Sequence, residues 1–113
     1  MKKNISKISD LFIKLSSTTR CSDDNREMEV SRIGGALRFR ETDYITDTII
    51  ADYYIGEIDT RHGFRFVVIE KRGERARTRH VCRSLEEALS FFNEKIVGKT
   101  YPHFTMDKLV MLS

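Results

Sequence analysis

The spacing of apolar residues changes along this chain, and each spacing predicts a different element. Near the start, Ile5, Ile8, Phe12 and Leu15 recur at helical spacing with Leu11 beside them, which predicts a short amphipathic helix over residues 4–16. The next stretch, SSTTRCSDDNREME, is polar and without period. It reads as a flexible loop covering 18–30. After Gly34-Gly35 the period shortens to two. Residues 36–39 alternate with Arg38 and Arg40, 48–58 (TIIADYYIGEI) are dense in β-branched and aromatic residues, and 63–71 (GFRFVVIEK) form the clearest strand. Residues 75–82 supply its return across an Arg72-Gly73 turn, where glycine accepts positive φ without steric cost.

At Ser84 the period lengthens again. Leu85, Ala88, Leu89, Phe92 and Ile96 mark one face of a helix over 84–97. Ser84 and Glu87 have the form of a capping box, Gly98 is a C-terminal stop, and Pro102 lies beyond it. The tail HFTMDKLVMLS is apolar enough to pack back as strand or helix, and its pattern does not choose. The expected architecture is one small α+β domain over 1–113. It has a helix over 1–17, a loop over 18–30, and a core over 31–113 of about four mainly antiparallel strands with a C-terminal helix packed on one face.

Length and composition agree with a single domain: 113 residues, 40% hydrophobic and 33% charged, a size that buries roughly two-thirds of the unfolded chain's surface. No apolar run approaches the roughly 18 residues of a membrane span. Lys7, Asp10 and Lys14 interrupt the N-terminal apolar positions, so the segment lacks a signal-peptide core and a cytoplasmic location with no membrane partner is expected. Cys21 and Cys82 read as reduced thiols rather than a disulfide framework.

Charge changes the picture more than composition does. The net charge is only +3, but residues 41–60 hold six acids and no Lys or Arg, whereas 61–83 hold eight bases against Glu70 and Glu74. With Arg72-Gly73 as the turn, Glu70 faces Arg75, Val68 faces Arg77 and Phe66 faces Arg79, so aromatics and arginines share one sheet face. Val67, Ile69, Ala76 and Thr78 share the other, a seat for the helix, with Arg65 beside His80. The mixed face has two readings. It is a nucleic-acid platform, with guanidiniums on phosphates or guanine edges and Phe rings stacking, or it is a half-buried face with arginine stems lying over Phe64 and Phe66.

The stretch FRFVVIEKRGERARTRHVCRSLEEALSFFNEKI, with the strand before it from Tyr53, resembles the DNA-binding domain of the AP2/integrase arm-type families. The resemblance implies a three-stranded sheet lying in a major groove with a helix behind it. Carried over by position, it makes Arg65, Arg75, Arg77 and Arg79 DNA-contacting residues. It covers 53–97 only, the chain has no Trp, and the first strand is acidic through Asp52, Glu57 and Asp59.

Catalytic and metal signatures are missing from the sequence. His62, His80 and His103 lack zinc-ligand spacing, neither cysteine sits in C-x-x-C, and the acidic set matches no calcium loop. His80 and Cys82 read as a strand histidine and a small buried thiol. No cofactor is expected. The first expected function is therefore a non-enzymatic nucleic-acid-binding or regulatory protein that uses Arg65, Arg72, Arg75, Arg77 and Arg79 with Phe64 and Phe66. The alternative is a protein-interaction domain: an inhibitor, adaptor or homodimer. It would act through Asp43, Asp47, Asp52, Glu57 and Asp59, with Tyr44, Tyr53 and Tyr54 as aromatic anchors.

Overall fold

The computed structural model describes residues 8, 17–21 and 24–106. Six strands form one sheet in chain order: β1 (Ser17–Arg20), β2 (Arg26–Ile33), β3 (Ala36–Asp43), β4 (Thr48–Thr60), β5 (Gly63–Arg72) and β6 (Arg75–Cys82). Every neighbouring pair is antiparallel. Helix α1 (Leu85–Phe91) follows and continues as a π-helix over Phe92–Val97. The expected α+β class with about four strands and two helices is thus corrected to a mostly β fold with one short helical segment among the described residues. The helix expected over 4–16 lies outside the described residues, except for Ile8.

The stretch 18–30, expected as a loop, contributes β1 and most of β2. The reason is visible in β2. Met28 and Val30 are each 1% exposed and point into the core, but Glu27 and Glu29 flank them. Two apolar positions inside a charge run carry too little periodicity to announce a strand. Arg20 and Glu27 face each other across β1 and β2 and lie 3.5 Å apart.

One face of the sheet carries the core. Met28, Val30, Leu37, Phe39, Tyr53 and Ile55 project from β2, β3 and β4 toward Ala88, Leu89 and Phe92 of the helical segment. The Phe39 and Phe92 rings lie 4.2 Å apart, and Phe104 closes edge-on against Phe39 at 5.0 Å. Ser84 Oγ accepts a hydrogen bond from the Glu87 backbone N–H at 3.1 Å, so the N-cap read from the sequence is formed. Gly98 ends the π-helix at φ +56, a conformation open to glycine. The helix packs on the Phe66 and Val68 face, not on the expected Val67 and Ile69 face.

Glu41 is buried on this core face at 6% exposure. It accepts from the Tyr101 hydroxyl at 2.7 Å and pairs with Arg26 at 3.3 Å. Burial, together with the bond to Glu41, raises the Tyr101 pKa well above the ordinary tyrosine range. Tyr101→Phe removes one of two partners of a buried carboxylate. It is expected to cost about 1–3 kcal/mol in urea unfolding, and an unchanged midpoint would show that Arg26 alone satisfies Glu41.

Candidate nucleic-acid interface

The β5–β6 hairpin turns one residue later than its sequence suggests. Arg72 pairs with Arg75, and the two loop residues are Gly73 and Glu74. Gly73 has φ +60, the conformation a type II′ turn needs at its first central position. Moving the turn by one residue shifts the pairing by two, so Glu70 faces Arg77 instead of Arg75. A shift of two keeps every side chain on its expected face. Then the register slips between Val68 and Ile69, with Ile69 opposite Thr78 but Val68 opposite His80. Arg79 is the extra residue of this bulge. Beyond it β6 is turned over, which places His80 and Cys82 on the core face, where His80 stacks on Phe91 at 4.4 Å. His80 therefore does not lie beside Arg65.

The hairpin gathers its arginines on one carboxylate. Glu70 Oε2 accepts from Arg72 Nε at 2.6 Å, and Oε1 accepts from Arg79 Nη1 at 2.8 Å and Arg77 Nε at 3.2 Å. Arg72 also donates to the Tyr53 hydroxyl at 2.8 Å. Burial alone pushes the Glu70 carboxyl up, but the bonds from Arg72, Arg79 and Arg77 together outweigh it and hold the pKa below the usual glutamate value. The Glu70 side chain is 8% exposed, while those of Arg72 and Arg77 are 54% and 71% exposed. One buried negative charge thus orients three positive ones, two of which are more than half exposed.

Sheet stability does not explain everything here. Arg75 lies directly opposite Arg72, and like charges directly opposed weaken a ladder. Glu70, Arg72, Glu74, Arg75 and Arg77 line an open cleft of about 610 Å³ at the hairpin tip. Such a cleft, positive on balance, can hold phosphate oxygens through forked guanidinium contacts.

The aromatic half of the expected platform is absent. Phe66 is 2% exposed in the core, and half-buried Phe64 meets it edge-on at 5.1 Å. Phe66 offers no free face to a base, and Phe64 packs at the core margin. Arg65 stands on the opposite sheet face, opposite Ile58, and its Nη1 donates to the Phe64 carbonyl at 2.8 Å. The four arginines implied by the AP2/integrase resemblance therefore do not form one surface.

The acidic set is scattered. Asp43 accepts from the backbone of Ile45 and Thr46 in the β3–β4 turn, where Asp47 has φ +57. Asp52 is 7% exposed and takes a two-pronged bond from Arg40 at 2.8 and 3.1 Å. Glu57 accepts from the Ile8 backbone N–H, and Asp59 is exposed at the far end of β4. Tyr53 is buried, Tyr54 is half-buried on the other face, and Tyr44 lies under the Arg20 guanidinium at 4.4 Å. No single acidic surface results. Sequence reasoning set Glu70 opposite Arg75 without counting it among the site residues, although its position two before Arg72 and across from the alternating arginines was the signal.

Among the described residues, no group of three or more His, Cys, Asp or Glu side chains could hold a metal ion. No helix among them is long and apolar enough to cross a membrane. Comparison with known proteins finds no matching family model, no matching curated protein and no matching solved structure.

Proposed function

We propose that this chain is a small cytoplasmic, non-enzymatic nucleic-acid-binding protein that grips phosphates with the Arg72 to Arg79 edge of its β5–β6 hairpin. The observation that carries the reading is the gathering of Arg72, Arg77 and Arg79 on the buried Glu70, with Arg75 unpaired among the described residues beside them. Guanidiniums held in place lose less side-chain entropy on binding a phosphate than free ones do. Their recurrence along a strand, about 6.6 Å per two residues, suits a polymer of phosphates better than one small anion. Contacts of this kind position a protein on nucleic acid without reading its sequence. The two free thiols, both buried, are compatible with a reducing compartment.

A titration against duplex and single-stranded DNA at several salt concentrations tests this. Three phosphate contacts give a log–log salt slope of about −2 to −3. Arg75→Ala with Arg77→Ala and Arg79→Ala is expected to cut that slope to no more than the roughly 0.7–0.9 that Arg72 alone supplies, equally for unrelated sequences. Arg75→Ala alone disturbs no ion pair and should remove roughly 0.7–0.9 of the slope. Phe64→Ala should leave the slope as it is, because the ring packs at the core margin. Unchanged affinity and slope in the triple variant would overturn the reading.

A further inference from the structure

On the sheet face opposite the helix, several large apolar side chains of the described residues are exposed. Ile33, Ile49, Ile58 and Val81 stand on it at 49%, 52%, 38% and 49% exposure. Their side is fixed by register: Ile33 pairs with Ala36, Ile49 with Thr42, Ile58 with Arg65 and Val81 with Val67, each one step off a core position. Val67, on the same face, is only 5% exposed. Isolated apolar side chains on a surface are ordinary, and these four are dispersed: Ile49 and Ile58 stand near opposite ends of β4, and Ile33 and Val81 on β2 and β6, so charge rather than a continuous apolar patch marks this face.

A row of charges crosses the same face. Glu29 pairs with Arg40, Arg40 with Asp52, and Asp52 with Lys71. From β2 to β5 the row reads minus, plus, minus, plus. Reversed end for end it reads plus, minus, plus, minus, so the row is complementary to its own reflection about the line between β3 and β4. The next row behaves likewise, with Arg38 on β3 beside Tyr54 on β4.

We propose that this face is an interface with a second copy of the chain, the two sheets stacked about a two-fold axis parallel to the strands between β3 and β4. That axis lays β2 over β5 and β3 over β4 of the other copy. Glu29 then meets Lys71 of the second copy, Arg40 meets Asp52, and Arg38 covers the Tyr54 ring as a cation–π pair. A two-fold axis across the strands would instead set Glu29 against Glu29, so charge selects the first arrangement. The area is adequate: six strands at about 4.8 Å spacing and about eight residues of about 3.3 Å each make a face on the order of 700 Å². A standard interface takes about 800 Å² per partner. Stacked sheets keep their strands within about 30° of each other, which leaves the charge rows in register near the axis. The proposal stands independently of the nucleic-acid reading. It would place both arginine hairpins at the same end of the assembly.

Sedimentation equilibrium of the full chain from about 1 to about 100 µM, at modest salt, tests the interface. The expected result is a species of twice the 13.2 kDa chain mass. Ile33→Asp, which sets a carboxylate over Val67 of the second copy, should weaken association by at least about tenfold while circular dichroism stays that of the folded chain. Glu29→Lys alone and Lys71→Glu alone should each weaken it by about tenfold, since symmetry repeats every pair, and the double exchange should restore it to within about threefold. A monomer at the highest concentration overturns the proposal. So does a dimer indifferent to Ile33→Asp, or a double exchange that fails to restore what the single exchanges lose.

Discussion

Glu70→Gln is expected to lower stability by about 2 kcal/mol at neutral pH and to remove much of the fold's acid sensitivity. The change keeps the shape of the side chain but withdraws the charge on which Arg72, Arg77 and Arg79 converge. Breaking a fully buried ion pair costs about 3–5 kcal/mol. The loss here is smaller because Arg72 and Arg77 are more than half exposed and rehydrate when released. Arg79, 25% exposed, is the partner that stays partly stranded. The pH dependence has a definite sign. The folded-state pKa of Glu70 lies below its ordinary value of 4.5, so its contribution is complete above that value and disappears as pH falls through the folded pKa. Thermal melts of the two proteins should therefore differ at pH 7 and converge as the pH is lowered below 4.5. Parallel curves at all pH values would show that Glu70 is not the group that titrates. The same variant releases Arg72, Arg77 and Arg79 from the carboxylate that orients them, so DNA affinity should fall despite the added positive charge, while the share carried by Arg75 is kept. The variant thus separates the fold's use of Glu70 from the phosphate contacts of Arg75.

Phe92→Ala is expected to cost about 3–5 kcal/mol, a large share of the roughly 6–17 kcal/mol that a domain of this size has available. Phe92 has no exposed surface. It lies 4.2 Å from Phe39, 5.6 Å from Tyr53 and 6.0 Å from Phe104, so one ring joins the helical segment to both central strands and to the C-terminal turn. It also begins the π-helix, whose second residue, Asn93, ties down the segment beyond the helix: its Oδ1 accepts from the Phe104 backbone N–H and its Nδ2 donates to the Phe104 carbonyl, at 2.8 and 2.7 Å. A cavity there cannot collapse without moving both strands and turn. Urea titration should show a much lower midpoint with an unchanged slope. Phe64→Ala, at the half-buried core margin, should cost far less. A similar loss for both would mean that the two rings are equally essential to packing.

Elements with strong local signals were legible in the sequence. β4 and β5 each carry several apolar or β-branched residues in a row, β6 was marked by the glycine turn before it and its alternating arginines, and the Ser84 cap and Gly98 stop are single-residue chemistry with a short reach. β1 and β2 were not legible. Their burial depends on Met28 and Val30 finding Phe39 and its neighbours across β3, a contact that no window around residue 29 contains. The candidate site was half legible. The alternation of Arg75, Arg77 and Arg79 was plain, and so was its place on a hairpin. Its companions were assigned wrongly, because Phe64 and Phe66 look like a platform until the core that covers them is known. The scattered acids failed for a similar reason: a run close in sequence along a long strand alternates faces, so Asp52 and Glu57 end on opposite sides of the sheet.

By itself, the sequence determined that residues 48–82 must pair as antiparallel strands, that a capped helix begins after Ser84, and that the return strand is rich in arginine. These follow from period, cap chemistry and glycine, all of which act within a few residues. Only the tertiary structure decided which face each strand buries, that a bulge at Arg79 turns His80 and Cys82 inward, and that Glu70 gathers three arginines. It also decided that Glu29, Arg40, Asp52 and Lys71 form one alternating row. Those outcomes depend on register between distant segments, and a slip of one residue there reverses every side chain that follows.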